Sequence, residues 1–448
     1  MSSIEKRITN ALLNAIRARR DEHPAAKSDA SSSSPGATPA KVREAVFSDF
    51  VAVADLKKRW GLAADSIENW DRLWRQNPAL QHAPHARPIG WVLEADRKIV
   101  GYIGNISLLC HYGDKTLSTV TAHGLVVEPA YRGVSVSLNA AFFRQKAVDF
   151  YVCTTTIPAV GRISAALKAD PLPQPDYWTV LFWVLQPSPF VRSMMKKLEI
   201  KSTMARVGGT FGSLAIAADR SLRGRRPRKS SSDFQMTEIG VAEIGDEFEA
   251  LWMDKVLEKT QLLADRSVAA LRWHYEIPGD RGTVRVLCCS KNGRLVGYAV
   301  VRNEEPDENG LSKSVLADLL AREDDPAVVE ALLAAAYAQA SHAGSHILEV
   351  MGFPENIRRV FAQSRPYQRR YPACPYYYKA ADPELHKALS DSAAWYACPF
   401  DGDATLIRAS YSSGRQQETS AVQEAVQEDH RSPGITADLS EQERTEVF

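Results

Sequence analysis

Two positions in one short stretch of this 448-residue chain have the chemistry to handle a proton and an anion. His123 sits on an apolar strand, TAHGLVVEP, and is the only side chain there that titrates near neutral pH. It suits a general base acting on a group held beside the strand, although a lone strand histidine often serves packing, and both roles are open at this point. Nine residues on, Arg132 and Gly133 form a polar turn, after which a helix is expected to start near Ser135, with Leu138, Ala141 and Phe142 giving it one buried stripe. The first N–H groups of a helix have no partners within it and add to the positive end of its dipole, so the turn offers a diphosphate a ready site. Arg132 places a permanent positive charge there.

The run V-x-P-x-Y-R-G followed by small residues and an amphipathic helix resembles the acetyl-CoA-binding segment of the GCN5-related N-acetyltransferases, whose pattern is Arg/Gln-x-x-Gly-x-Gly/Ala. Here it reads Arg132-x-x-Ser135-x-Ser137, with serine at both glycine-type positions. The resemblance implies that acetyl-CoA, or another acyl-CoA, is a co-substrate held by Leu125, Val127, Arg132, Gly133, Val134, Ser135, Val136, Ser137 and Leu138. It also implies that the pantetheine arm enters between the motif strand and the strand after the helix, and that His123 receives a proton from an amine acceptor, a small molecule or a peptide. If the glycine serves a left-handed backbone, Ser135 costs about 1 to 2 kcal/mol. If it serves close approach of the diphosphate, the extra side chain blocks the ligand. Strict alternation puts Thr119, Thr121 and His123 on one face, unless a bulge of the kind common in this family intervenes. The tyrosine many members carry on the helix after the next strand is absent from 158–168. Two other readings stand beside acetyl transfer: a non-catalytic binding protein that keeps the fold, and aminoacyl transfer of the kind that builds peptidoglycan cross-bridges.

The elements that position these residues follow an α+β order. A strand at 42–47 leads to helices marked by Phe50, Val53 and Leu56 and by Trp70, Leu73 and Trp74. Strands at 90–94 and 98–107 and a third from Thr116 into the motif follow, then the motif helix, a strand at 149–157 and a helix at 158–168. Strands at 176–185 and 206–216, with a helix at 190–198 between them, are expected to close this sheet. RKIVGYIGN at 97–105 then returns as GRLVGYAVV at 293–301, and LWRQNP at 73–78 as LRWHYEIP at 271–278. Two matched blocks in matched order indicate two tandem acyl-CoA N-acyltransferase-like domains, each a mixed, mainly antiparallel sheet flanked by helices. The turn of the second copy carries Glu323, Asp324 and Asp325, whose charges repel a diphosphate, so only the first copy is expected to hold the cofactor. The second copy continues through strands at 347–350 and 376–378.

The expected domains are 41–218 and 234–408, joined by a basic linker at 219–233, with disordered tails at 1–40 and 409–448. The first tail begins with a short amphipathic helix marked by Ile4, Ile8, Leu12 and Ile16. With 55 Lys and Arg against 54 Asp and Glu, the whole chain has no global electrostatic pull toward nucleic acid or membrane. The six cysteines lack metal-ligand spacing and read as reduced thiols of a cytoplasmic protein. No run approaches the ~20 apolar residues needed to span a bilayer. GxSxG, Walker and HExxH motifs are absent. Nothing in the sequence indicates an oligomeric state.

Overall fold

The computed structural model describes residues 39–82, 87–198, 202–228, 233–278, 284–370 and 376–406. The expected tails at 1–40 and 409–448, with the amphipathic helix, lie almost wholly outside these residues. The described residues from Ala40 onward form one compact unit.

The first sheet begins with four antiparallel strands, β1 (Lys41–Glu44), β2 (Gly90–Ala95), β3 (Lys98–Tyr112) and β4 (Lys115–Val127). Asp96 and Arg97, both left-handed, make the tight β2–β3 turn, and Gly113 takes the left-handed position in the β3–β4 turn. β3 is buried on both faces. Val92, Tyr102 and Ile106 meet Val53, Leu56, Trp70 and Leu73 of helices α1 (Phe50–Arg59) and α2 (Ile67–Trp74). Trp91, Leu93 and Ile103 meet Leu138 and Phe142 of α3 (Ser135–Phe143) on the opposite face. This double coverage explains why β3 reads as a continuous apolar run instead of alternating. β5 (Phe150–Cys153) then joins β4 in parallel, as a crossover through α3 requires.

After α4 (Pro158–Ala166) and the two-residue β6 (Asp170–Pro171), the chain departs from the expected order. β7 (Thr179–Val184) does not close the first sheet; it pairs in the second sheet with strands introduced below. The segment read as a strand at 206–216 lies within a helix, since α5 (Pro187–Lys197) is followed by α6 (Ser202–Leu222). Alanine, glycine and serine spaced through 205–218 leave few large side chains for a sheet face, and β-propensity alone misleads there. Expected linker residues 219–222 belong to the same helix.

The second half repeats the first. β8 (Gln235–Ile239) and α7 (Asp246–Glu258) lead through β9 (Leu262–Ala264) to α8 (Val268–Tyr275), and then to antiparallel β10 (Val284–Lys291), β11 (Arg294–Glu304) and β12 (Lys313–Ala321). Gly101-Tyr102 pairs with Val127-Val126 in the first sheet, and Gly297-Tyr298 with Ala321-Leu320 in the second, so the sequence repeat is a repeat of register. α9 (Pro326–His342) crosses to β13 (Ile347–Val350), parallel to β12. α10 (Glu355–Gln363), β14 (Tyr367–Arg370), β15 (Tyr377–Ala380) and α11 (Pro383–Ala388) follow.

Each sheet borrows its next strand from the other half. β13 takes β7 on its far side, and β7 takes β14. In the first sheet β5 takes β15, which in turn takes β6. β9 also pairs with β3, at Cys110–Tyr112. The boundary expected near 218–233 therefore divides the chain but not the sheets. The exchange also explains the single large core that runs from Phe150 and Val152 through Trp183 to Tyr378 and Trp395.

An edge strand stripped of its partner exposes its backbone and half its apolar contacts. Fragments 39–228 and 233–448 produced separately should therefore lack cooperative unfolding, whereas the two co-expressed should copurify and show one transition by circular dichroism. A sharp, independent transition in either isolated fragment would contradict the strand exchange.

Candidate functional site

β4 and β5 pair only over Thr119–Thr121 and Phe150–Val152, then part. Where they part, β4 carries a bulge opposite Ile103: Gly104 faces His123 and Tyr102 faces Val126, which leaves Gly124 and Leu125 as the extra residues. Gly124 supplies the left-handed φ of +59° that the bulge needs. The gap is a cleft of about 120 Å³ lined by His123, Gly124, Leu125, Asn139, Cys153, Thr154, Thr155, Thr156 and Asp403, with Leu62, Ile103 and Val160 as apolar wall. Its two sides are strand edges that have parted from each other. An extended chain bearing amides fits such edges as an added strand would.

The floor of the cleft is a buried charge cluster. His123 is 1% exposed. Its Nδ1 lies 3.4 Å from Asp403 and its Nε2 3.5 Å from Asp65. Asp65 takes an ion pair from Lys57 at 2.7 Å, and Lys57 Nζ is itself 3.5 Å from His123 Nε2. Lys57 belongs to the buried face of α1, and Asp65 stands just before Ser66, whose hydroxyl caps α2 by accepting from Asn69 N. Asn69 Nδ2 donates to Asp65, which fixes the carboxylate. Asp403 accepts from Thr154 Oγ1 at 2.9 Å and from Thr155 Oγ1 at 3.2 Å. Burial and the Lys57 ammonium oppose a charged imidazole, but the hydrogen bonds and charges of Asp403 and Asp65 outweigh them and raise the His123 pKa above its ordinary 6.5. Burial likewise pushes the Asp65 carboxyl up, and Lys57 and His123 overcome that to hold it well below the usual carboxylate range. Two carboxylates against an ammonium and an imidazolium balance in charge.

Cys153 also lines the cleft, but burial pushes its thiol pKa up to about 12. It stays a neutral thiol at physiological pH and is a poor nucleophile.

The turn after β4 is a 3-10 helix, Pro129–Val134, that runs into α3. Here the structure corrects the expectation in two respects. Ser135 is right-handed, with φ −60° and ψ −26°, so serine costs no backbone strain. Its N–H already donates to Arg132 O, so the free N–H set is smaller than a bare helix start provides. Ser137 Oγ turns back to donate to Val134 O at 2.6 Å. Arg132 and Gly133 are exposed, with open space around Gly133, while Val134 and Val136 are exposed apolar residues. Glu128, the acid nearest the turn in sequence, is engaged by Arg59 at 2.9 Å and Lys98 at 3.2 Å, which offsets its repulsion of an anion. Leu138 points into the core and Val127 packs against it, so neither side chain lines the cleft.

The matching places in the second half are filled by the protein itself. Asp324 accepts from Lys255 and Lys259, each at 2.6 Å, and from Asn356, and Asp325 caps α9 through Ala327 N. β12 and β13 part after Leu316 and Val350, and residues 396–401 pack there: Phe353 N donates to Ala397 O, Tyr396 donates to Leu319 O, and Asp401 approaches the buried Arg266–Asp318 pair. The same segment then reaches the first cleft, where Asp403 joins His123, and Leu406 O accepts from Arg72.

His123 and Leu125 thus line the cleft, while the Arg132 turn follows at the end of β4 and none of residues 129–138 is among the lining. Sequence reasoning missed Lys57, Asp65, Thr154, Thr155 and Asp403. A lysine on the apolar stripe of α1 was the one local sign of a buried partner, while Asp403 gave none.

No known family profile matches the sequence, and no curated protein matches it. Among solved structures the chain is similar to a GCN5-related N-acetyltransferase from Anabaena variabilis, at 9% identity over 77% of this chain and 73% of that one, TM-score 0.49. A GCN5-related N-acetyltransferase from Kribbella flavida aligns at 12% identity over 76% and 72%, TM-score 0.47. The Saccharomyces cerevisiae N-myristoyltransferase, solved with myristoyl-CoA, aligns at 11% identity over 78% and 82%, TM-score 0.45.

Because the folded-state pKa of His123 is raised, its pairing stabilises the protein fully below its unfolded value of about 6.5 and is lost as pH rises through the folded value. Asp65, with a lowered pKa, contributes above about pH 3.9 and loses that contribution as pH falls. Urea unfolding at pH 6 and pH 9 should show a stability difference that shrinks in His123→Gln. An unchanged difference would place the alkaline loss elsewhere.

Proposed function

We propose that the protein is an acyl-CoA-dependent N-acyltransferase, acetyl-CoA being the expected donor, with one catalytic cleft between β4 and β5. The observation that carries this reading is the parting of these strands at the Gly124 bulge, with His123 and Asp403 inside the gap and the Arg132 turn at the end of β4. The thioester of a bound acyl-CoA supplies an activated carbonyl. Backbone of Gly124, Leu125 and the 153–156 segment lines the gap where the pantetheine arm would lie, and Arg132, Gly133 and the small side chains of Ser135 and Ser137 leave room for the diphosphate beside a cation. The amine nitrogen forms the new bond to the acyl carbon as the carbon–sulfur bond breaks and CoA leaves as a thiolate, which water protonates. The proton the amine loses is taken up by the buried cluster through Asp403, whose carboxylate lines the cleft and passes it to the neutral form of His123. Asp403 then stabilises the imidazolium, and Asp65 holds the other ring nitrogen. With Cys153 neutral, direct transfer to the acceptor is favoured over an acyl-enzyme. The five free, buried cysteines among the described residues suit a cytoplasmic setting.

A base with a raised pKa is in its active form only at higher pH, so turnover should rise through an apparent pKa above 6.5, and Asp403→Asn should move that midpoint downward. His123→Ala should lower turnover by about 10² to 10⁴ while leaving acyl-CoA affinity nearly unchanged. Full turnover of His123→Ala from about pH 6 to 9 would assign the histidine to structure alone.

Calorimetry with acetyl-CoA should give one site per chain, because the second turn and cleft hold their own side chains, and Arg132→Glu should abolish binding. Absence of binding by any acyl-CoA at millimolar concentration would overturn the enzyme reading in favour of a non-catalytic protein.

A further inference from the structure

The helical hairpin α5–α6, inserted between β7 and β8, is the most unusual surface of the molecule. Phe211, Leu214 and Leu222 are 71%, 61% and 86% exposed, and Ala215 and Ala218 are exposed with them. Positions 211, 214, 218 and 222 fall on one stripe of α6, so this is a continuous apolar face, not scattered residues. The opposite side of α6 holds it to the body of the protein. Gly212 faces Val191 of α5, Ser213 is buried, and Arg220 donates to the carbonyl oxygens of Val184 and Leu185.

The charge around this stripe is as biased as its polarity. Residues 187–228 contain ten Lys and Arg and two Asp and Glu, in a chain that is nearly balanced overall. Part of this charge is used internally. Arg225 pairs with Asp219 at 2.6 Å and stacks on Tyr367, and Arg223 also pairs with Asp219. Arg192, Lys197, Arg226 and Arg228 face solvent, the last two within six residues of exposed Leu222.

We infer that the α5–α6 hairpin docks the protein on an anionic lipid bilayer, with the Phe211–Leu214–Leu222 stripe in the interface and the exposed arginines on the headgroups. The pairing of an exposed apolar stripe with flanking cations is what an interfacial helix requires, and each basic side chain near such a surface adds attraction that salt screens. Among the described residues no helix is long and apolar enough to cross a membrane, which agrees with a helix lying on the surface. A nucleic acid would use the arginines and leave the stripe wet. A second copy would bring its own excess of cations against this one.

The test is cosedimentation of the full chain with vesicles of equimolar phosphatidylglycerol and phosphatidylcholine, and with phosphatidylcholine alone. The anionic vesicles should bind it at low salt and release it as salt rises, with little binding to phosphatidylcholine. Phe211→Ser with Leu214→Ser, and separately Arg226→Glu with Arg228→Glu, should each weaken binding by about tenfold or more, with circular dichroism unchanged. No binding to anionic vesicles, or binding that survives both double variants, overturns the inference. So does light scattering that shows a dimer dissolved by the Phe211 and Leu214 changes in a protein indifferent to vesicles. Nucleic-acid binding lost in the arginine variant, without vesicle binding, would equally overturn it. None of these residues lines the cleft, so a failure here leaves the acyl-transfer reading standing.

Discussion

Lys57, Asp65, His123 and Asp403 cannot be buried singly, and much of the architecture follows from that. An isolated ion in a protein interior costs several kcal/mol even after relaxation, and removing one member of a buried set leaves the others uncompensated. Here the members come from α1, the loop before α2, β4 and the segment after α11, which lie up to 346 residues apart in the chain. Once His123 is enclosed beside Asp65 and Lys57, a further carboxylate is needed to balance its charge, and Asp403 reaches it only because the last described segment crosses to the first sheet. Arg72 fixes that crossing by holding the carbonyl oxygens of Trp273 and Leu406, while Trp273 Nε1 donates back to Arg72 O at 2.9 Å. The cleft is therefore assembled by both halves, although its walls belong to one.

The reciprocal exchange of β7 and β15 serves the same end. A strand that pairs in the far sheet ties each half to the folding of the other. It also routes the chain so that residues 396–401 pass through the second gap before Asp403 enters the first. The two copies of one register pattern have thus diverged in a physically specific way. One gap is left open at a glycine bulge, and the other is closed by Tyr396, the Cys398–Asp401 turn and the Arg266–Asp318 pair. Burial raises the Asp401 pKa to about 6 against the opposing pull of Arg266 and the Cys398 N–H, whereas Arg266 is held charged by Asp318. Among the described residues the hydrogen bonds of the second cluster end within the core, and the cavity beside Tyr396 and Asp401 is about 10 Å³ against about 120 Å³ for the first.

The α5–α6 hairpin lies outside this logic. It contributes α5 and α6 to neither repeat, and its basic stretch divides into arginines that hold the helix and arginines that face solvent. Only the folded arrangement distinguishes the two sets, since in sequence both lie within the same nine residues.

The sequence by itself determined the local elements and their repetition. Apolar runs, the Asp96-Arg97 turn, the crossover helix and the matched Gly-Tyr registers depend on neighbours in the chain, and their periods are visible there. The same holds for the strand, turn and helix around His123 and Arg132, and for the acidic turn of the second copy. What only the tertiary structure decided was which sheet each strand joined and which charges met. β7 and β15 each read correctly as strands, but nothing local to an apolar strand states its partner, because pairing is chosen by the packing of both faces over long separations. The handedness of Ser135 was settled by the 3-10 turn before it, and the helicity of 206–216 by the hairpin that contains it. Lys57, Asp65 and Asp403 are unremarkable in sequence. They become a site because a buried charge must find its counterion wherever the fold can deliver one.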